Sequence, residues 1–467
     1  MTTAEIMLAL QYVVLVYFAV LNVLYSLFGY LGLRAILLYN RQVSRSALKD
    51  LLERDFYKPI SILVPAHNEE GSIVASVRNL LSLQHPEYEV VVINDGSQDG
   101  TLARLADAFD LQETELIVRR TLRTKPERGI YRTVLHPNLI VVDKDNGGKA
   151  DALNMGINLA QFPIVCAIDA DSLLDADALL RASRLFAEDD DVVAVGGTVR
   201  PLNGGTVSGG HVTELHAPKR WIERFQVLEY GRAFFTGRAG WSALGALLII
   251  SGAFGLFRRT SVIAAGGYDT ETVGEDMELV VRLQKQARER GGTARVVATP
   301  DPICWTEVPR DFRSLRRQRN RWQRGLWETL GTHRDMLFNR RFGRLGMIGI
   351  PYFWLFEGAS PIMELLGFGV LIAAAATGTL DLGLAALFLL LAVAYGALLS
   401  QLAVGIETLL LSRYTSLRDR MKLLAAALLE FIGYHQLLSL ERLIATFQVR
   451  RKRGRWGKAE RAGITSS

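Results

Sequence analysis

Cysteine is nearly absent from this 467-residue chain, occurring only at Cys166 and Cys304. Two thiols so far apart make neither a disulfide framework nor a zinc site, and they suit a reducing compartment. Nucleic-acid signatures are missing too. The formal net charge is +6, yet no helix-turn-helix, zinc or RNP pattern accompanies it, so no nucleic acid is expected as a partner. The basic residues crowd at the edges of apolar runs instead, from Arg310 to Arg344 and from Arg450 to Lys458. Membrane lipids with anionic headgroups are the natural counterpart.

Lys and Arg are absent from Ile6 to Leu33. This run is long enough to cross roughly 30 Å of hydrocarbon. It exceeds the apolar core of a cleavable leader and lacks a basic segment ahead of it, so residues 1–40 are expected to be a transmembrane signal anchor. Arg34, Arg41, Arg45 and Lys49 follow it, which places the next segment in the cytoplasm, at what would be a bacterial-type inner membrane. With 49% apolar residues and a positive mean hydropathy, further spans are expected. Met347 to Thr377 and Leu380 to Leu411 read as an outward and returning pair, with Arg413, Arg418, Arg420 and Lys422 on the cytoplasmic side. Leu423 to Phe447 is interrupted by Glu430, His435, Gln436, Glu441 and Arg442. A full crossing would put Arg450-Arg-Lys-Arg453 outside, so a re-entrant or interfacial helix pair is preferred. Glu357, Glu364 and Glu407 within these runs need a polar conduit or partners.

Three β-branched runs each end in carboxylates, amides and glycines: Ile60-Ser-Ile-Leu-Val-Pro-Ala-His-Asn-Glu69, Val90-Val-Val-Ile-Asn-Asp-Gly-Ser97 and Val165-Cys-Ala-Ile-Asp-Ala-Asp171. They alternate with helix-like stretches at Ser72–Leu83, from Thr101 and at Lys149–Leu159. This is the pattern of an α/β domain with a mostly parallel open sheet, whose ligands gather at the carboxyl ends of the strands. A nucleotide is the expected ligand. Asp169 and Asp171, at i and i+2, can share one side of an extended segment and grip a hard divalent cation. The alternative is a turn, or an N-cap for a helix starting near Asp175. Trp241 to Phe257 carries no charge and reads either as buried core or as a segment near the bilayer.

Two more motifs follow, Gly274-Glu275-Asp276 at a helix start and Gln318-Arg319-Asn320-Arg321-Trp322 on a basic amphipathic segment. Taken alone, Asp276 could be a cap or dipole partner, and the second motif an interfacial helix with a tryptophan anchor. Together with Asp95 and the DxD, in this order from about Ile60 to Trp322, they resemble the processive family 2 glycosyltransferases. These are the membrane synthases of cellulose, hyaluronan, chitin oligomers and poly-N-acetylglucosamine. Gly274 stands where that family often has threonine.

The resemblance implies a GT-A, Rossmann-like domain over residues 41–309, basic interfacial helices over 310–345, transmembrane and re-entrant or interfacial helices over 346–448, and a basic cytoplasmic tail over 449–467. It implies Mg2+ or Mn2+ as cofactor, with a UDP-sugar as donor. Pro65, Asn68, Glu69 and Asp95 would meet the nucleoside, and Lys149 in the Asn146-Gly-Gly-Lys149 loop would approach the nucleotide, although on its own that loop could be flexible with a surface lysine. Asp171 would hold the metal, with Asp169 touching the metal, ribose or diphosphate. Gln318 and Arg321 would bind diphosphate, and Trp322 the acceptor sugar. Asp276, beside Glu275, would be the base of an inverting transfer. The expected partners are the UDP-sugar, a growing glycan or lipid acceptor, membrane lipids and a small membrane partner subunit. Transfer of one sugar to a lipid, and a UDP-binding assembly subunit without activity, are the rival readings.

Overall fold

The structure is a computed structural model that describes residues 3–42, 57–406, 414 and 416–449. Glu407, Arg413, Arg45, Lys49 and the tail from Arg450 lie outside the described residues.

The chain opens with helix α1 (Thr3–Gln42). The α/β domain then begins with β1 (Ile60–Ala66), α2 (Ile73–Leu81), β2 (Tyr88–Asp95) and α3 (Thr101–Phe109). Short β3 (Gln112–Glu113), β4 (Glu127–Arg132), β5 (Leu139–Lys144), α4 (Lys149–Leu159), β6 (Ile164–Ile168), β7 (Ser172–Leu174), α5 (Ala178–Glu188) and β8 (Val192–Pro201) come next. A small hairpin, β9 (Gly205–Ser208) with β10 (His211–Leu215), precedes α6 (Trp221–Gly231), a wider π-helical turn (Arg232–Arg238) and α7 (Ala239–Leu244). The domain ends with β11 (Phe254–Arg258), α8 (Arg259–Ala264), α9 (Glu275–Glu289) and β12 (Arg295–Thr306).

Ten strands form one sheet in the order β3-β4-β5-β2-β1-β6-β11-β8-β12-β7. Its centre, β5-β2-β1-β6, is parallel. Chain order reverses between β1 and β6, and a ligand crevice opens at such a switch point. Period-two alternation splits β1 between two cores. Ile60, Ile62 and Val64 pack with Ile73, Val77, Phe109 and Phe186 on one face, while Leu63 packs with Leu153 and Ile157 of α4 on the other.

The expected mostly parallel sheet is corrected to a mixed one. β11 inserts antiparallel between β6 and β8, and β4 and β7 also pair antiparallel with their neighbours. The cause lies in Trp241 to Phe257, which proves to be buried core rather than a segment at a bilayer. Its stretch Ala246–Leu248 and Ile250 is fully buried before the chain enters β11. The helix after the DxD starts at Ala178 with Asp177 as its cap position; Asp175 instead accepts from Trp305 Nε1 at 2.8 Å.

Helix α10 (Phe312–Thr332) links this domain to the apolar helices. Those are Leu345–Gly358, α11 (Ser360–Ala376), α12 (Leu382–Gly405), α13 (Leu417–Leu429) and α14 (Tyr434–Gln448). Among the described residues, α1 (over Ala4–Tyr39) and α12 are each long and apolar enough to cross a membrane. Leu345–Gly358 with α11, bent by 41°, and α13 with α14, bent by 58°, also qualify if each pair counts as one span. Pro361 sits in the first turn of α11, where it needs no backbone donor. α1 presents Val13, Val16 and Val23 outward and packs inward on α7, where Phe28 meets Trp241 with ring centroids 4.2 Å apart.

Candidate active site

The carboxyl ends of β1 and β2 form an exposed lip. Pro65 lies in β1 opposite Ile93, and Asn68 adopts φ 57°, a left-handed conformation that asparagine tolerates. The Asn68 side chain accepts from Gln98 N at 2.8 Å, and Glu69 N donates to Thr101 Oγ1 at 2.9 Å. These bonds stitch the two strand-end loops together and leave Asn68 open to solvent.

Asp95 is buried and committed to the protein itself. Its carboxylate accepts from Gly147 N at 2.9 Å, Gly148 N at 2.8 Å and Lys144 Nζ at 2.7 Å. Three of its roughly four acceptor positions are thereby used. The expected nucleoside anchor thus shapes the glycine loop directly, and Gly148, at φ 87°, supplies the turn that most side chains resist. Lys144 is fully buried and also pairs with Asp151 of α4 at 2.7 Å.

At the end of that loop Lys149 reaches into the crevice. Its ammonium donates to Asp169 Oδ1 at 2.6 Å and to the Gly252 carbonyl at 3.0 Å, and stands 3.8 Å from Glu275. Burial opposes its charge, but Asp169 and Glu275 outweigh burial and raise its pKa. Asp169 lines the cavity, whereas Asp171 is buried at 3% exposure. Among the described residues no group of three or more His, Cys, Asp or Glu gathers to hold a metal.

Gly274 caps α9, and Glu275 and Asp276 occupy its first turn. Burial raises the Glu275 carboxyl from 4.5 to about 7, with Lys149 opposing and Asp276 adding to the rise. A folded value above the unfolded one gives stability that is complete below about 4.5 and lost as pH rises through about 7. Glu275→Gln, neutral throughout, is therefore expected to melt above the wild type at about pH 8 and not at about pH 4.5. Melting curves in detergent at the two pH values test this; an equal shift at both would remove Glu275 as the cause.

α10 brings its motif against α9 by an unusually close contact. A Cβ on Gly274 would lie 2.8 Å from Gly325 Cα, so a side chain there would force one of the two backbones to shift. Glu328 secures the approach by accepting from Thr272 Oγ1 at 2.9 Å and Val273 N at 3.0 Å. Gln318, Arg321 and Trp322 all line the cavity. Gln318 Oε1 has no hydrogen-bond partner among the described residues. Trp322 is 43% exposed, with the Arg319 guanidinium 4.3 Å from its ring centroid. Arg319 itself pairs with Glu229 of α6.

The cavity these groups share measures ≈ 470 Å³. It extends from Lys149, Asp169 and Asp276 past Trp322 to Glu357, His435 and Arg442 among the apolar helices. There Arg442 donates to Gln323 Oε1 of α10 at 2.9 Å and to the Glu357 carbonyl at 2.6 Å. Glu364 pairs with His435 at 3.3 Å and with Ser439. So all the expected site residues except Asp171 and the strand-end group of Pro65, Asn68, Glu69 and Asp95 meet on one cavity wall. Sequence reasoning missed Lys144 and Arg238. Lys144 carried a usable signal, since it ends a β-branched run just as Asp95 does.

Comparison with known proteins agrees with this geometry. The profile of the family described as "Glycosyltransferase like family 2" matches residues 58–325. The poly-β-1,6-N-acetyl-D-glucosamine synthase of Staphylococcus aureus (strain MSSA476) is 29% identical over 277 residues, 59% of this chain and 56% of that protein. The synthase of the same name from Staphylococcus epidermidis is 28% identical over 302 residues, 63% of this chain and 62% of that one. The chain thus matches less than two thirds of the length of these curated relatives. In fold, it is similar to the mannosyltransferase PcManGT from Pyrobaculum calidifontis, solved with GDP-Man and Mn2+, with a TM-score of 0.54 at 21% identity over 92% of this chain and 99% of that one. With a family match spanning more than half its length and a GT-A-like mixed sheet around the shared cavity, the chain belongs to glycosyltransferase family 2 and is related to polysaccharide synthases.

Proposed function

We propose that this protein is a membrane-bound, metal-dependent, inverting β-glycosyltransferase that elongates a polysaccharide from a UDP-sugar and passes it across the membrane. The observation that carries the reading is the single cavity joining Asp276 and Lys149 to Glu357, His435 and Arg442 between the apolar helices. In this reading the growing chain would leave the reacting end through this cavity, whose lining mixes polar and apolar side chains. The relatives named as poly-N-acetylglucosamine synthases support polymerisation over single transfer.

In this reading Asp276 takes the proton from the acceptor hydroxyl as that oxygen attacks the anomeric carbon, and the bond to the UDP oxygen breaks on the opposite face. Gln318 and Arg321 hold the diphosphate, Lys149 adds positive charge near it, and Trp322 stacks on the acceptor sugar. Asp171, with Asp169, would hold Mg2+ or Mn2+. The chemistry of the pair fits such an ion, because carboxylates are hard-cation ligands and two of them would leave positions for diphosphate oxygens and water. When bound, the ion neutralises charge on the departing UDP.

The test is UDP release and product length on purified protein supplied with a panel of radiolabelled UDP-sugars. Long products from one donor support the reading, and a single added sugar on lipid would replace it with lipid glycosylation. Asp171→Ala is expected to weaken metal-dependent donor affinity by at least about tenfold. Wild-type activity that survives EDTA unchanged would remove the metal from the scheme.

A further inference from the structure

The arginines around the cavity are almost all engaged. Arg232 pairs with Glu430 and Ser400, Arg319 with Glu229, and Arg442 with Gln323 and the Glu357 carbonyl. Arg238, at the end of the π-helical turn, differs. Its guanidinium stacks on Phe234, 3.8 Å from the ring centroid, and lines the cavity. Its Nε is buried, and no acceptor bonds it among the described residues. Burial pushes its pKa down to about 10, which leaves it charged at neutral pH.

A guanidinium packed on a ring with its buried Nε unpartnered among the described residues is costly to fold and is suited to a bidentate oxyanion. The donor diphosphate already has Gln318, Arg321 and Lys149 assigned to it. Arg238 lines the same cavity as Asp276 and Trp322, the base and the acceptor-stacking ring of the proposed reading, and so faces space the acceptor would enter. Trp241, Leu247, Ile249 and Phe353 line the same cavity with apolar surface. We propose that Arg238 binds an oxyanion carried by the acceptor, either the carboxylate of an acidic sugar or the phosphate that joins a first sugar to a lipid. This rests on the transferase reading of the same site.

The test is calorimetric titration of full-length protein with one short β-linked oligosaccharide in three forms: neutral, uronate-bearing and 1-phosphorylated. Each titration is run with saturating UDP and again without it. A charged form should bind at least about tenfold tighter than the neutral one, as a charge-assisted bidentate contact provides. Arg238→Gln should erase that preference, and Arg238→Lys should keep part of it. Preference for the uronate identifies an acidic glycan, and preference for the phosphate a lipid-linked primer. Equal binding of all three forms, or a preference that survives Arg238→Gln, overturns the proposal. So does loss of UDP affinity in Arg238→Gln with oligosaccharide binding intact, which would assign Arg238 to the donor. If UDP fails to bind the wild type, the transferase reading falls, while the titrations without UDP still decide the charge preference.

Discussion

Replacing Asp276 by asparagine is expected to slow sugar transfer about 10²- to 10⁴-fold while UDP affinity stays within a few-fold. Asp276 Oδ1 accepts from Met277 N at 2.8 Å, an anchor that an asparagine oxygen can keep. The other oxygen faces the crevice, for a Cβ built on Gly252 would lie 3.0 Å from it and 3.4 Å from Lys149 Nζ. The negative charge and the capacity to take a proton are lost, and the second matters in the transition state rather than in donor binding. Initial rates of UDP release beside UDP titrations make the measurement. A mutant with most of its rate would transfer the role to Glu275, which changes charge near pH 7.

The second large effect is expected at a residue far from the sugar. Lys144→Met should cost about 3–5 kcal/mol of stability, because it strips the cation from two buried carboxylates, Asp95 and Asp151. Donor affinity should fall with it, since Asp95 is the group that holds Gly147 and Gly148 in place. Adding Asp95→Asn to Lys144→Met removes one stranded charge, so the double mutant should lose less than the two single changes summed. Melting temperatures and UDP titrations of all four proteins provide the cycle. Strict additivity would show that Lys144 and Asp95 do not act as a pair.

What could be read from the residues depended on how local the cause was. β1, β2, β5 and β6 are legible because short β-branched runs stop at Gly, Asn and Asp, and α4 begins at Lys149 as its pattern indicates. The antiparallel insertion of β11 is not, because an uncharged run such as Trp241 to Phe257 has the same composition in a core, a span or a strand. The position of Asp95 was readable, but its saturation by Lys144 and two backbone amides depends on contacts 49 to 53 residues away. Arg238 escaped notice because one arginine between two apolar stretches looks like a boundary marker. Only the packed cavity shows that the Arg238 Nε meets no hydrogen-bond acceptor among the described residues.

The meeting of Gly274 with Gly325 constrains how this molecule can breathe. Two backbones this close, with no side chain between them, have little room to slide past or press nearer to one another without collision. α10 is fastened beyond this joint to the helices around Gly358 and Arg442 through Gln323. A tilt of those helices that presses α10 toward Gly274 would therefore bear directly on the first turn of α9, which carries Glu275 and Asp276.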